Sequence, residues 1–99
     1  MMGDVDIIFS CNSIQSSDVT WTRNTTRGYF NYVYDKGNIT DYQDFQNTFN
    51  MVNSSSLRLY IPQPADSGLY DCYETRGRRI VGHNLTVTGM FLVVSAFKE

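Results

Sequence analysis

Histidine is nearly absent from this chain, and proline, tryptophan and cysteine are scarce: one His, two Pro, one Trp and two Cys in 99 residues. A lone His83 builds neither a Ser-His-Asp relay nor a His-rich zinc site, so it reads as a structural or surface residue. No glycine-rich loop follows a strand and opens a helix, which removes the phosphate cradle of nucleotide-binding enzymes. The carboxylates are scattered; Asp41 and Asp44 are close in sequence but have no catalytic neighbour, and read as solvated loop charges. The expectation is no enzyme, no metal and no cofactor. No apolar run is long enough to cross a bilayer: Met90-Phe91-Leu92-Val93-Val94 reads as a strand. A formal net charge of −2 offers no basic excess for nucleic acid. Neither a signal peptide, an internal repeat nor a low-complexity segment is visible.

What the chain does have is strand patterning. Leu57, Leu59 and Ile61 alternate with Arg58 and Tyr60, the period of a strand with one buried face. Pro62 and Pro64 end it, since neither donates to a ladder. Asp66-Ser67-Gly68 supplies turn chemistry, after which Tyr70 and Cys72 share one face of the next strand. Upstream, Val5, Ile7, Phe9 and Cys11 alternate with more polar neighbours. Trp21, the only tryptophan, follows ten residues later in Val19-Thr20-Trp21-Thr22-Arg23. Two cysteines alone are compatible with free thiols.

Taken together, Cys11, Trp21 and Asp66-Ser67-Gly68-Leu69-Tyr70-Asp71-Cys72 resemble an immunoglobulin-superfamily domain, with its Cys…Trp…Cys order and Asp-x-Gly-x-Tyr-x-Cys corner. The resemblance runs from about Gly3 to about Val94. It implies an all-β, V-type, immunoglobulin-like β-sandwich of Greek-key connectivity, with two antiparallel sheets joined by a Cys11–Cys72 disulfide and Trp21 packed on the bridge; two buried reduced cysteines are the alternative. It also implies that the Tyr70 ring packs inward while its hydroxyl bonds back to the backbone of the corner.

On this pattern residues 1–99 form one domain, with 1–2 an added start. Asp4 to Cys11 leads from edge to core. Asp18 to Arg23 is strand C, Tyr29 to Tyr34 strand C′, Ile39 to Tyr42 a possible C″, and Asp44 to Val52 strand D. Leu57 to Ile61 is strand E, Leu69 to about Thr75 strand F, and Ile80 to Val94 strand G, where Gly89 marks a bulge. Val81-Gly82-His83-Asn84-Leu85-Thr86-Val87 partly matches the Phe-Gly-x-Gly-x-x-Leu-x-Val ending of antigen-receptor variable domains. One departure concerns the corner. Many such domains carry an Arg at the start of strand D that pairs with the corner Asp, whereas this chain has Gln46, Asn47 and Thr48. Neutral hydrogen bonds or Arg58 are the expected substitutes.

Three surface features are candidates for binding. Arg76, Arg78 and Arg79 concentrate positive charge at one hairpin tip, and Arg is favoured at interfaces. Tyr29-Phe30-Asn31-Tyr32-Val33-Tyr34 is aromatic; alternation should put about half of these rings in the core and expose the rest beside Tyr73 and Thr22 as a Tyr-rich face. The polar stretch Asn12 to Ser17 belongs to the same end as the Arg tip. Four Asn-x-Ser/Thr sequons, at Asn24, Asn38, Asn53 and Asn84, are candidate glycosylation sites.

The resemblance, closest in the Leu-x-Leu-x-Ile-x-Gln-Pro-x-Asp-Ser-Gly-Leu-Tyr-x-Cys run to vertebrate immune-receptor domains including fish ones, implies a function. The expectation is an ectodomain of a cell-surface immune receptor, a CD8-type co-receptor or a B7/butyrophilin-like protein. It would bind a protein ligand through the sheet of strands G, F, C and C′, with any membrane anchor beyond Glu99. The alternatives are a homophilic adhesion dimer and a virus-encoded immunoglobulin-like decoy. A structural disulfide and sequons fit an oxidising, extracellular or secreted address.

Overall fold

The computed structural model describes residues 6–11, 19–74, 77–89 and 91–98, with Phe97 and Lys98 as backbone only. Among these residues nine strands form two antiparallel sheets. The smaller contains β1 (Asp6–Phe9), β6 (Leu57–Tyr60) and β5 (Phe49–Met51), in the order β1-β6-β5. The larger has the order β4-β3-β2-β7-β8-β9, from β2 (Val19–Thr25), β3 (Phe30–Asp35), β4 (Asn38–Ile39), β7 (Gly68–Glu74), β8 (Arg79–Val87) and β9 (Leu92–Lys98). One helical turn, α1 (Phe45–Thr48), precedes β5.

Alternation explains which side chains meet between the sheets. Ile7 and Phe9 from β1 and Leu57 and Leu59 from β6 are buried, opposite Val19, Trp21, Tyr70, Cys72, Val81 and Leu85 from the larger sheet. Phe9 stacks on Tyr70 with ring centroids 4.6 Å apart. The Cys11–Cys72 disulfide ties the end of β1 to β7 and so joins the two sheets. Trp21 lies directly across from Cys72 in the β2–β7 ladder, and its indole N–H donates to Ser55 O at 2.7 Å. His83 is buried against Phe9 and Trp21, and its Nε2 lies 2.8 Å from Ser10 O. A carbonyl only accepts, so Nε2 carries the proton, and His83 is a structural tie between β8 and the end of β1.

The corner before β7 is held by an unexpected residue. Tyr70 Oη donates to Asp66 O at 2.6 Å, closing the corner on the strand that follows. Asp66 Oδ2 accepts from Gln63 N, and its Oδ1 receives Arg23 Nη1 at 2.9 Å. The expected neutral hydrogen bond is present in Gln63 N–H, but the cation is Arg23 from β2, neither a residue at the start of β5 nor Arg58. The same Nη1 donates to Tyr70 Oη at 3.3 Å, and the guanidinium lies 5.0 Å from the Phe45 ring centroid and 5.6 Å from that of Phe49. The ring faces offset part of the desolvation of a charge on the core side of the sheet. Burial pushes the Tyr70 phenol well above its ordinary range, against the opposing pull of Arg23, so the hydroxyl stays a donor.

Four sequence expectations are corrected. Ile61 is exposed: its φ of 46° turns it out of the β6 alternation, and Pro62 fills the buried place instead. The segment from Ile80 to Val94 is no single bulged strand. It folds into the β8–β9 hairpin, with Thr88 N bonded to Phe91 O across the turn and Gly89 inside it. Residues 44–52 begin as the turn α1, because Thr48 N and Oγ1 both bond back to Asp44 O, leaving only Phe49–Met51 extended. Beyond β3, only Asn38–Ile39 pair as β4, since Thr40 N and Oγ1 fold back onto Val33 O and Tyr32 O.

Candidate recognition face

The ladder fixes what the larger sheet shows to solvent. With Trp21, Tyr70, Cys72 and His83 turned inward, the intervening residues point outward, and registration groups them in cross-strand rows. One row runs Tyr32, Thr22, Asp71, Gly82 through β3, β2, β7 and β8. The next row toward the β7–β8 tip holds Thr20, Tyr73 and Arg79. The row on the other side runs Phe30, Asn24, Leu69, Asn84, Ser95.

The relief of this face is uneven. Thr22 and Asp71 are 4% and 7% exposed although both point away from the core. Together with Gly82 they form a low polar floor. At its β3 side stand Phe30, 57% exposed, and Tyr32, 50% exposed, with their rings packed edge to face. Toward the tip, Arg79 Nη1 reaches Asp71 Oδ1 at 3.6 Å, placing a guanidinium over the floor. The face thus combines an apolar aromatic step, a shallow polar floor and an ion pair at one end.

Of the rings singled out in sequence, Tyr29 and Tyr32 are exposed, Tyr73 is half-buried on the outer face, and Tyr34 is half-buried against the core. None of the β3 rings is fully buried, contrary to the expectation for half of them. Phe30 and Tyr32 take the outward parity and Val33 the core position, while a register shift at Trp21/Thr22 brings Tyr34 opposite Trp21 and back against the core. The Arg tip is also less positive than it reads. Arg78 pairs with Glu74 at 3.4 Å and Arg79 with Asp71, so the strand that leads into the tip neutralises two of its charges. Arg76 and the loop Asn12 to Ser17 lie outside the described residues. All four sequon asparagines are exposed.

Away from this face, an open cleft of about 670 Å³ lies between β4 and β5, lined by Asp35, Ile39, Asp41, Gln46 and Phe49 among others. Among the described residues no group of three or more His, Cys, Asp or Glu is placed to hold a metal ion, and no helix is long and apolar enough to cross a membrane. No family model, no curated protein and no solved structure matches the chain.

Proposed function

We propose that this chain is an extracellular recognition domain of the variable-type immunoglobulin class, which docks a protein ligand on the outer face of the larger sheet, on the half nearer the β7–β8 tip. The observation that carries the reading is the ring of Tyr32, half exposed and standing in one cross-strand row with the low floor of Thr22 and Asp71. Aromatic anchors beside a polar, partly desolvated surface are the composition of protein interfaces.

The class assignment draws support from strand order. The sheets β1-β6-β5 and β4-β3-β2-β7-β8 correspond to strands B-E-D and C″-C′-C-F-G of a variable domain, with the bridge between B and F and the tyrosine at the corner before the second Cys. Arg23 on strand C and the added strand β9 depart from that pattern. A cross-sheet disulfide fits an oxidising compartment. The membrane-anchored immune receptor, co-receptor and viral decoy remain particular versions of this one reading.

The test is a screen of the oxidised domain, multimerised, against arrayed cell-surface ectodomains. Binding that is lost in Tyr32→Ala and retained in Arg58→Ala, on the opposite sheet, supports the reading. Absence of any partner, or loss confined to Arg58→Ala, counts against it. A second reading, homophilic pairing, draws on β9. This edge strand of seven residues has no charge from Phe91 to Phe97, and Phe91 and Val93 are exposed. Light scattering separates the two: a monomer at high concentration removes the homophilic version.

A further inference from the structure

We infer that Asn24 and Asn84 carry a pair of N-linked glycans that stand side by side on the larger sheet and close its far half to protein partners. The inference rests on the extracellular reading above and adds the boundary of the docking face.

Asn24 and Asn84 are separated by 60 residues in sequence, yet both pair with Leu69, one from each side. They therefore lie in one cross-strand row, two strand spacings or about 10 Å apart. Both point outward, because Arg23 and Thr25 on one strand and His83 and Leu85 on the other take the inward positions. Both are exposed, as are Thr26 and Thr86, whose hydroxyls complete the two sequons. Among the described residues none of these four side chains has a hydrogen-bond partner. The other two sequons are engaged in turns. Asn53 Oδ1 caps Ser55 N and Ser56 N, Ser55 Oγ is bonded to Cys11 O, and Thr40 Oγ1 is bonded to Tyr32 O. Asn24 and Asn84 do no structural work of this kind.

Transfer from a lipid-linked pyrophosphate oligosaccharide forms a bond from Asn Nδ2 to the sugar C1 and breaks the C1–O bond to the pyrophosphate. Nδ2 gives up one proton and the pyrophosphate leaves as the anion, with no change of oxidation state. Glycans rooted about 10 Å apart flank Leu69 and shadow Phe30 and Ser95, the remaining members of the row. The row of Tyr32, Thr22, Asp71 and Gly82, and the row of Thr20, Tyr73 and Arg79, lie on the tip side of them and stay open.

The experiment is secretion of the full chain from a glycosylating eukaryotic host, with occupancy mapped by mass spectrometry after enzymatic deglycosylation in heavy-oxygen water. The expected result is occupancy of both sites on the same molecules. Asn24→Gln and Asn84→Gln each remove one glycan mass. Leu69→Cys then reads the shielding through its rate of reaction with a polymer-linked maleimide, and Ser95→Cys does so if the first variant folds poorly. Reaction should be several-fold slower in the glycosylated chain than in the Asn24→Gln/Asn84→Gln background, whereas Thr20→Cys should react equally in both. An oxidised, secreted chain that is bare at either Asn, or equal rates at Leu69→Cys, overturns the inference and leaves the recognition reading standing. A chain retained with Cys11 and Cys72 reduced overturns both. Full occupancy with no ligand in the ectodomain screen leaves the glycans and removes the docking face.

Discussion

Replacing Arg23 by Met keeps an unbranched aliphatic stem and removes the guanidinium that lies over Phe45 and Phe49. Three interactions go with it: the 2.9 Å pair with Asp66, the longer bond to Tyr70 Oη, and the cation over two rings. Removing one partner of a buried pair costs about 3–5 kcal/mol. Arg23 and Asp66 each keep 13% side-chain exposure, and Asp66 retains Gln63 N as a donor, which places the loss near the lower bound. The ring contacts add roughly 0.5–1 kcal/mol. The expected destabilisation is therefore about 3–4 kcal/mol, a large share of the roughly 5–15 kcal/mol typical of a domain. Urea unfolding followed by the fluorescence of Trp21, the single tryptophan, reads it as a lower midpoint at unchanged slope. In a cycle with Asp66→Asn, the coupling should be about 2 kcal/mol. A loss below about 1 kcal/mol, or additive single and double mutants, would refute the claim that Arg23 holds the corner.

Further outcomes follow from the same packing. Tyr70→Phe should cost about 1–2 kcal/mol by denaturant titration, as the bond to Asp66 O is lost. Because burial raises the Tyr70 phenol above its ordinary 10.0, its contribution is complete below pH 10 and falls as pH rises beyond it, when the unfolded chain ionises first. In a spectrophotometric titration at least one of the seven tyrosines should ionise only on unfolding, and Tyr70→Phe should flatten the alkaline loss of stability. Gly68→Ala should cost roughly 2–4 kcal/mol or abolish secretion, since φ there is +151° and an added Cβ would lie 2.6 Å from Thr25 Cα. Removing the Cys11–Cys72 bridge, a loop of 61 residues, should lower stability by about 4 kcal/mol, read as a drop in Tm.

Much of the core was legible because its signal is local or periodic. The alternation at Ile7 and Phe9 and at Leu57 and Leu59 identifies two strands of the smaller sheet, and Tyr70 with Cys72 marks the inward face of β7. The misses have equally concrete causes. Arg23 shares the inward parity of Trp21, a signal for a buried cation, but its partner Asp66 is 43 residues away and no local pattern pairs them. Ile61 continues the alternation on paper, and one positive φ ahead of Pro62 ends it in space. The even parity of Phe30 and Tyr32 was countable and places both rings away from Val33, whereas the register shift that returns Tyr34 to the core side leaves no mark in the sequence. The β8–β9 hairpin hides in a long β-rich run, where Thr88 and Gly89 are a weak turn signal. The ion pairs that neutralise Arg78 and Arg79 depend on Glu74 and Asp71 across the hairpin, a matter of register and not of composition.

The most direct test of the recognition claim is hydroxyl-radical footprinting of the domain with and without the ectodomain captured in the screen. Protection at Tyr32 and Tyr73, with Tyr60 on the smaller sheet unchanged, is the predicted result. Protection centred on Tyr60 and Arg58, with Tyr32 as reactive as in the free domain, would contradict the account.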